Sequence, residues 1–318
     1  MKVTCYGSRG SLPTPSRKNF STVEFGGNTN CFYIEAGPHK SILDCGSGVA
    51  VLGDHLMKEW LAGHQKPMSF IVGLSHYHWD HIQGLPFCVP FFIGNTFDIH
   101  GFRPSGHENQ NMPRTAVETM LAHQQSNPHF PIAHESLPSS RRYISHDRQF
   151  SEVIYYNWDE HVGSVMDNAS FKLGDPSLLR ITTIPLNHPN GAIGYRLDYG
   201  GHSVAYCCDS EPFRYPNARI TSICKDVDLL IMDGAYTEEQ LTGNMQTFGH
   251  GSPESCVDQA LECGAKHLLI THHEPKHDDK KLRHMQAEAR LYASKKERKI
   301  DLGVAFAREG EEILVGSN

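Results

Sequence analysis

The chain has 318 residues, 39% hydrophobic and 20% charged, with 29 Lys and Arg against 36 Asp and Glu, a formal net charge of −7. No apolar run approaches the roughly 18–20 residues a membrane-spanning helix needs, which excludes a membrane protein. The 15 Phe, 12 Tyr and the aliphatic content can fill a core, which argues against disorder, and the negative balance gives no basic footprint for a nucleic-acid polymer.

Residues 1–6 read as a strand ending in the loop Gly7-Ser8-Arg9-Gly10. Residues 30–36 alternate as a strand, and residues 40–43 run into the turn Asp44-Cys45-Gly46-Ser47-Gly48. Val49, Leu52, Leu56 and Trp60 recur at near-helical spacing and predict a helix closed near Gly63. Residues 69–74 are a short buried strand that delivers Ser75 and the histidines behind it to a strand end. Residues 95–170 are polar and weakly periodic. They are expected to form an inserted cap over the core, with one helix around 115–125. Strands are expected at 180–185, at 195–199 and 203–207 around the hairpin signal Gly200-Gly201, at 229–232 and at 267–270. Ser252 and Pro253 are placed to start a helix that Gly264 stops. A helix over 282–299 follows, and residues 304–307 and 312–315 suggest a last hairpin. Strands and helices interleave in both halves, so the class is α+β with helices packed outside sheets.

The nine cysteines are odd in number and irregularly spaced, with no CxxC. Together with an opening segment that lacks a signal-peptide apolar stretch, they lead to the expectation of a reduced, cytoplasmic protein.

The strongest chemical signal is His76-Tyr77-His78-Trp79-Asp80-His81. Four ligand side chains occupy six residues directly behind a strand. In extended backbone His76 and His78 share a face, and after the chain turns Asp80 and His81 can reach a neighbouring ion. Imidazole and carboxylate suit zinc, with manganese or iron as alternatives. This hexapeptide is the HxHxDH motif of the metallo-β-lactamase superfamily, and the chain resembles that family in motif order. Ile184-Pro185-Leu186-Asn187-His188, Tyr206-Cys207-Cys208-Asp209 and Leu268-Leu269-Ile270-Thr271-His272 follow in sequence.

The resemblance implies one domain over 1–318, an αββα sandwich, and two divalent metal ions at the strand ends. One ion would be held by His76, His78 and His188, the other by Asp80, His81 and His272, with Asp209 bridging. The family pattern favours His272 over His273. The glycine-rich segments at 7–15, 26–31 and 43–48 look like the phosphodiesterase branch, which includes ribonuclease Z and cyclic-nucleotide phosphodiesterases. By the same resemblance His250 lies where a histidine serves the scissile phosphate, Asp233 could orient it, and Asp80, His250 and Asp233 form the expected catalytic set. Met232 stands where ribonuclease Z carries a histidine.

The expected activity is hydrolysis of a small phosphodiester, foremost a 3′,5′-cyclic nucleotide, by a hydroxide bridging the metals. The alternatives are a ribonuclease Z-like tRNA 3′-processing endonuclease and a non-catalytic metal-binding sensor. Neither a long Gly- and Lys-rich arm nor a basic balance favours a nucleic-acid polymer as partner. A homodimer is expected by resemblance alone. His123, Gln124, His129, Phe130 and Tyr155 of the cap are candidates for a base pocket.

Overall fold

A computed structural model describes residues 1–104, 114–157, 164–166, 177–211, 216–296 and 301–316. Two sheets stack face to face, each with helices on its outer side. The first contains β1 (Lys2–Gly7), β2 (Cys31–Ala36), β3 (His39–Leu43), β4 (Ser69–Gly73), β5 (Thr96–Phe102), β6 (Ser140–His146) and, at its other edge, β15 (Glu312–Leu314). The second runs β14 (Gly303–Phe306), β13 (His267–Thr271), β12 (Leu229–Asp233), β11 (His202–Cys207), β10 (Ala192–Tyr199), β9 (Leu179–Leu186), β7 (Val153–Asn157) and β8 (Ser164–Met166). The helices are α1 (Gly48–Ala62), α2 (Trp79–Ile82), α3 (Ala116–Gln124), α4 (Ala218–Ile223), α5 (Glu238–Thr242), α6 (Pro253–Cys263) and α7 (Asp279–Ser294).

Period-2 alternation explains the layering. Val204 and Tyr206 of β11 enter the core between the sheets, whereas Ala205 and Cys207 face the outer helices. The inner core sets Phe32, Ile34 and Ile71 of the first sheet with Ile193, Leu197, Ile231 and Leu269 of the second. Outside the first sheet, Val49, Leu52 and Leu56 of α1 and Val117 and Leu121 of α3 bury against Ile42, Phe70, Val72 and Phe97. Each such side chain contributes about 1.5–3 kcal/mol relative to an exposed one. Outside the second sheet, Val257, Ala260 and Leu261 of α6 and Leu282, Met285 and Ala289 of α7 cover Leu230, Leu268 and Ile270. The expected αββα sandwich is therefore the observed fold. The expected start of α6 holds as well: Ser252 caps it by accepting the Ser255 N–H, and Gly264 ends it in the left-handed conformation.

Two expectations need correction. Residues 95–170 are not simply a cap. Within the described part, β5 and β6 extend the first sheet, β7 joins the second and α3 packs on the first; residues 105–113, 158–163 and 167–170 lie outside the described residues. The polar composition misled because β6 is an edge strand and because Asp98 and His100 of β5 are buried with hydrogen-bond partners rather than exposed. The last two strands also form no hairpin. β14 pairs parallel with β13 and β15 antiparallel with β1, so the turn between them carries the chain from one sheet to the other.

Strands β3, β4, β9, β11, β12 and β13 all end at the same edge of the sandwich. The residues behind them (Asp44, His76, His188, Asp209, the terminal Asp233, and His272) meet there. In sheets with parallel strands this carboxyl edge is where ligands bind. Among the described residues no helix is long and apolar enough to cross a membrane.

Candidate metal centre

Asp209 sits at the middle of the cluster. Its Oδ2 lies 3.5 Å from His76 Nε2, 3.4 Å from His81 Nε2 and 3.7 Å from His188 Nε2, and its Oδ1 lies 3.2 Å from His272 Nε2. Asp80 Oδ2 approaches His272 Nε2 at 3.1 Å and His81 Nε2 at 3.3 Å. His76, His78 and His188 converge as one triad, and Asp80, His81 and His272 as another. These are the groupings the motif order implied.

The backbone turns sharply to achieve this. Asp44, Asp209 and His272 adopt left-handed φ of +58°, +54° and +61°. Such conformations outside glycine concentrate at sites whose surroundings hold the strain. Two glycines make room: a Cβ on Gly10 would lie 2.2 Å from the His272 ring, and one on Gly249 2.1 Å from His188 Nδ1.

Hydrogen bonds set the imidazole tautomers. His81 Nδ1 donates to Asp44 Oδ2 at 2.7 Å, and His188 Nδ1 donates to the Gly249 carbonyl at 2.9 Å. Ser75 Oγ donates to Asp44 Oδ2 at 2.8 Å and so accepts from His76 Nδ1 at 3.1 Å. Each pairing leaves the Nε2 lone pair free, facing inward. His76 Nε2 is buried with no hydrogen-bond partner. His188 Nε2 faces His78 Nδ1 at 3.2 Å, and His81 Nε2 faces His272 Nε2 at 3.4 Å. Each of these contacts needs a proton or a cation between the two nitrogens. Buried Asp80, Asp209 and Asp233 add negative charge that also calls for one. The residues therefore fit divalent metal ions with nitrogen and oxygen ligands.

The protonation tendencies agree. Burial, and then the His81 charge, push His76 well down, and burial also lowers His78 and His188. Against burial, the carboxylates of Asp209, Asp80 and Asp44 push His81 well up. Asp80 and Asp209 are held far below the usual carboxylate range, against burial, by the surrounding histidines. The pocket around His81 Nε2 thus attracts positive charge, whether a proton or a metal.

His272 and His273 separate cleanly. His272 belongs to the cluster, whereas His273 donates to the Ala307 carbonyl at 3.0 Å and stacks on Phe306. Its burial pushes it down to about 3.

His250 stands beside the cluster. Its ring stacks on His272 with centroids 4.7 Å apart, and its Nδ1 donates to Asp233 Oδ2 at 2.7 Å. Against burial, the Asp233 and Asp209 charges raise it to about 9. Met232 packs into the outer core beneath α6.

Sequence reasoning missed Asp44. In the sequence it is one residue of a turn signal, yet its carboxylate takes hydrogen bonds from His81, from Ser75 and, at 2.6 Å, from Tyr206. A carboxylate at a strand end facing a histidine motif was the available signal. Of the cap candidates, Gln124 is buried and donates to the Ile82 carbonyl at 2.7 Å, and Phe130 packs edge-on against Phe87. His123 and His129 are exposed, and Tyr155 is half-buried.

The profile of the Beta-lactamase superfamily domain matches residues 39–273. The chain belongs to this family. It is a metal-dependent hydrolase of this superfamily. The hydrolase is 23% identical over 297 residues to a ribonuclease Z of Agathobacter rectalis, covering 86% of this chain and 88% of the relative. Its fold is similar to that of the metallo-beta-lactamase fold protein YhfI from Bacillus subtilis, with a TM-score of 0.59, 21% identity and 98% of each chain covered. It is equally similar, at a TM-score of 0.59, to a diphosphatase from the PhnP family, with 15% identity over 98% of this chain and 97% of the other.

Proposed function

We propose that the hydrolase cleaves a small phosphodiester, foremost a 3′,5′-cyclic nucleotide, at a pair of divalent ions, with zinc the first candidate and manganese or iron the alternatives. His76, His78 and His188 would hold one ion, Asp80, His81 and His272 the other, with Asp209 between them. When bound, such a pair polarises a phosphate oxygen and lowers the pKa of water toward about 7.

The protein residues do the rest. Asp44, Ser75 and the Gly249 carbonyl hold three imidazoles in the ligating tautomer. Asp80 accepts the Ser11 N–H at 2.7 Å, which ties the glycine-rich first loop to the centre. Asp233 anchors His250 through Nδ1 and leaves Nε2 for substrate. The His250 side chain is 13% exposed, so it meets both the cluster and solvent. Protonated, it donates to a phosphate oxygen or to the departing ribose oxygen, and Asp233 stabilises its charge. In a cyclic diester one water adds to phosphorus, the P–O bond to one ribose oxygen breaks, and that oxygen takes the His250 proton, which opens the ring to a nucleoside monophosphate.

The observation that supports this reading is the His250–Asp233 pair stacked on the His272 imidazole, which sets a candidate proton donor beside the proposed metal centre. A second reading, an RNA-processing endonuclease, is favoured by the ribonuclease Z relative. A panel of 3′,5′-cyclic nucleotides, bis-p-nitrophenyl phosphate and precursor tRNA separates the two. Turnover of cyclic nucleotides supports the first; cleavage of tRNA alone selects the second. His250→Ala should lower turnover about 10²–10⁴-fold with metal content unchanged, and a normal rate would remove it from the reaction.

A further inference from the structure

The loop that carries His250 is held from outside the cluster. Thr247 and Gly249 both adopt left-handed backbone, with φ of +70° and +90°. Threonine is β-branched and keeps that conformation only where its surroundings impose it. Backbone of this kind can aim neighbouring N–H groups to one side, where an anion collects them. Here the anion is the Glu211 carboxylate. One of its oxygens accepts the Thr247 N–H at 2.8 Å, and the other accepts the Gly249 N–H at 3.1 Å. Residues 246–248 are exposed, so burial supplies little of the restraint.

Glu211 is tied in turn to two other loops of the centre. It stands two residues after Asp209. Its own N–H donates to the Asn187 carbonyl at 2.8 Å, and the Asn187 side-chain amide donates back to the Glu211 carbonyl at 3.3 Å. Asn187 immediately precedes His188, and Gly249 immediately precedes His250. The Gly249 carbonyl takes the His188 Nδ1 proton at 2.9 Å. The rings of His188 and His250 lie with centroids 5.4 Å apart. Glu211 itself belongs to none of the ligand groupings of the cluster.

We propose that Glu211 is a positioning residue for the metal centre. Its carboxylate fixes the Gly249 backbone, which holds His188 in its ligating orientation on one side and carries His250 on the other. One side chain that meets neither ion nor substrate thereby sets a proposed ligand and the proposed proton donor together. This rests on the reading of the site given above and adds what holds its geometry. Glutamine is an incomplete substitute, because it has one acceptor oxygen and an NH2 group where two N–H groups need an acceptor each, and it lacks the charge that strengthens both bonds.

The test uses the full chain loaded with zinc. Chelator competition gives the zinc affinity, urea unfolding gives the stability, and kcat and KM are taken at saturating zinc on whichever diester of the panel above is cleaved. Glu211→Ala should hold zinc about 10- to 100-fold more weakly. Its kcat should fall by about the same factor, with KM nearly unchanged. Glu211→Gln should fall between Glu211→Ala and the unaltered chain in both quantities. A purely structural Glu211 would lower the urea midpoint and move neither. Zinc affinity or kcat left unchanged in Glu211→Ala overturns the proposal, and if that variant does not fold, the same result in Glu211→Gln overturns it. An unaltered chain that binds no zinc overturns it as well. Failure of the parent reading looks different: the zinc-loaded unaltered chain turns over no diester, while the loss of zinc affinity in Glu211→Ala remains.

Discussion

Two regions of this molecule are rich in buried histidine, and they use it in opposite ways. At the strand-end edge, His76, His78, His81, His188 and His272 have their inner nitrogens turned toward one another and toward Asp80 and Asp209, with His76 Nε2 unpartnered. Between residues 95 and 157 the buried histidines among the described residues, His100, His134 and His146, satisfy themselves within the chain. His134 bonds Gln125 at 2.5 Å through Nδ1 and Tyr143 at 2.6 Å through Nε2. His100 bonds His146 at 2.8 Å through one nitrogen and Tyr156 through the other, and His146 reaches Glu152 at 3.0 Å. A histidine with both nitrogens paired inside the protein is scaffold. One whose inner nitrogen is turned to buried carboxylates and further imidazoles is placed to ligate a cation. Histidine content alone does not distinguish the two; the remaining nitrogen does.

Substitutions in the two regions should therefore fail differently. The largest effect is expected for Asp209→Ala, which removes the carboxylate shared by both triads. Elemental analysis should show metal loss, and turnover should fall about a thousandfold or more, in keeping with the several kcal/mol that metal activation is worth. Retention of metal and rate would mean the centre is not built around Asp209. Next is Asp44→Asn. It weakens the anchor of His81 without touching a proposed ligand, and should lower metal affinity about 10- to 100-fold. Competition with a chelator measures this, and an unchanged affinity would make Asp44 a mere turn residue.

In the second region, His134→Ala leaves Gln125 and Tyr143 without their partner and should cost about 1–3 kcal/mol in urea unfolding, while turnover stays normal. A large loss of turnover would merge the two regions and break the contrast. The smallest effect concerns pH. Burial pushes His134 and His39 down to about 4 from an ordinary 6.5. Below pH 6.5 the unfolded chain takes up protons that the folded histidines refuse. Their contribution is thus complete above 6.5 and is lost as pH falls toward 4. His134→Ala should have a shallower loss of stability across that interval than the unaltered protein, and an identical slope would show that His134 is not one of the groups responsible.

The same contrast explains what could be read from the sequence. The hexapeptide ending in His81, and the apolar strands preceding His188, Asp209 and His272, were legible because strand ends deliver side chains to a common edge. The helices α1 and α6 were legible from spacing, capping and terminal glycines. Asp44 was hidden because its role depends on His81, 37 positions away in the chain. The strands β5 and β6 were hidden because buried Asp98 and His100 look like surface residues until Arg142 and His146 are seen to pair with them. The final two strands were misjoined because closeness in sequence suggests a hairpin, and nothing local says that each completes a different sheet.

The most direct test of the metal pair is anomalous diffraction from crystals of the metal-loaded chain. Two peaks about 3.5–4 Å apart are predicted, one in ligand contact with His76, His78 and His188 and the other with Asp80, His81 and His272. A single peak, or peaks away from these side chains, would contradict the account.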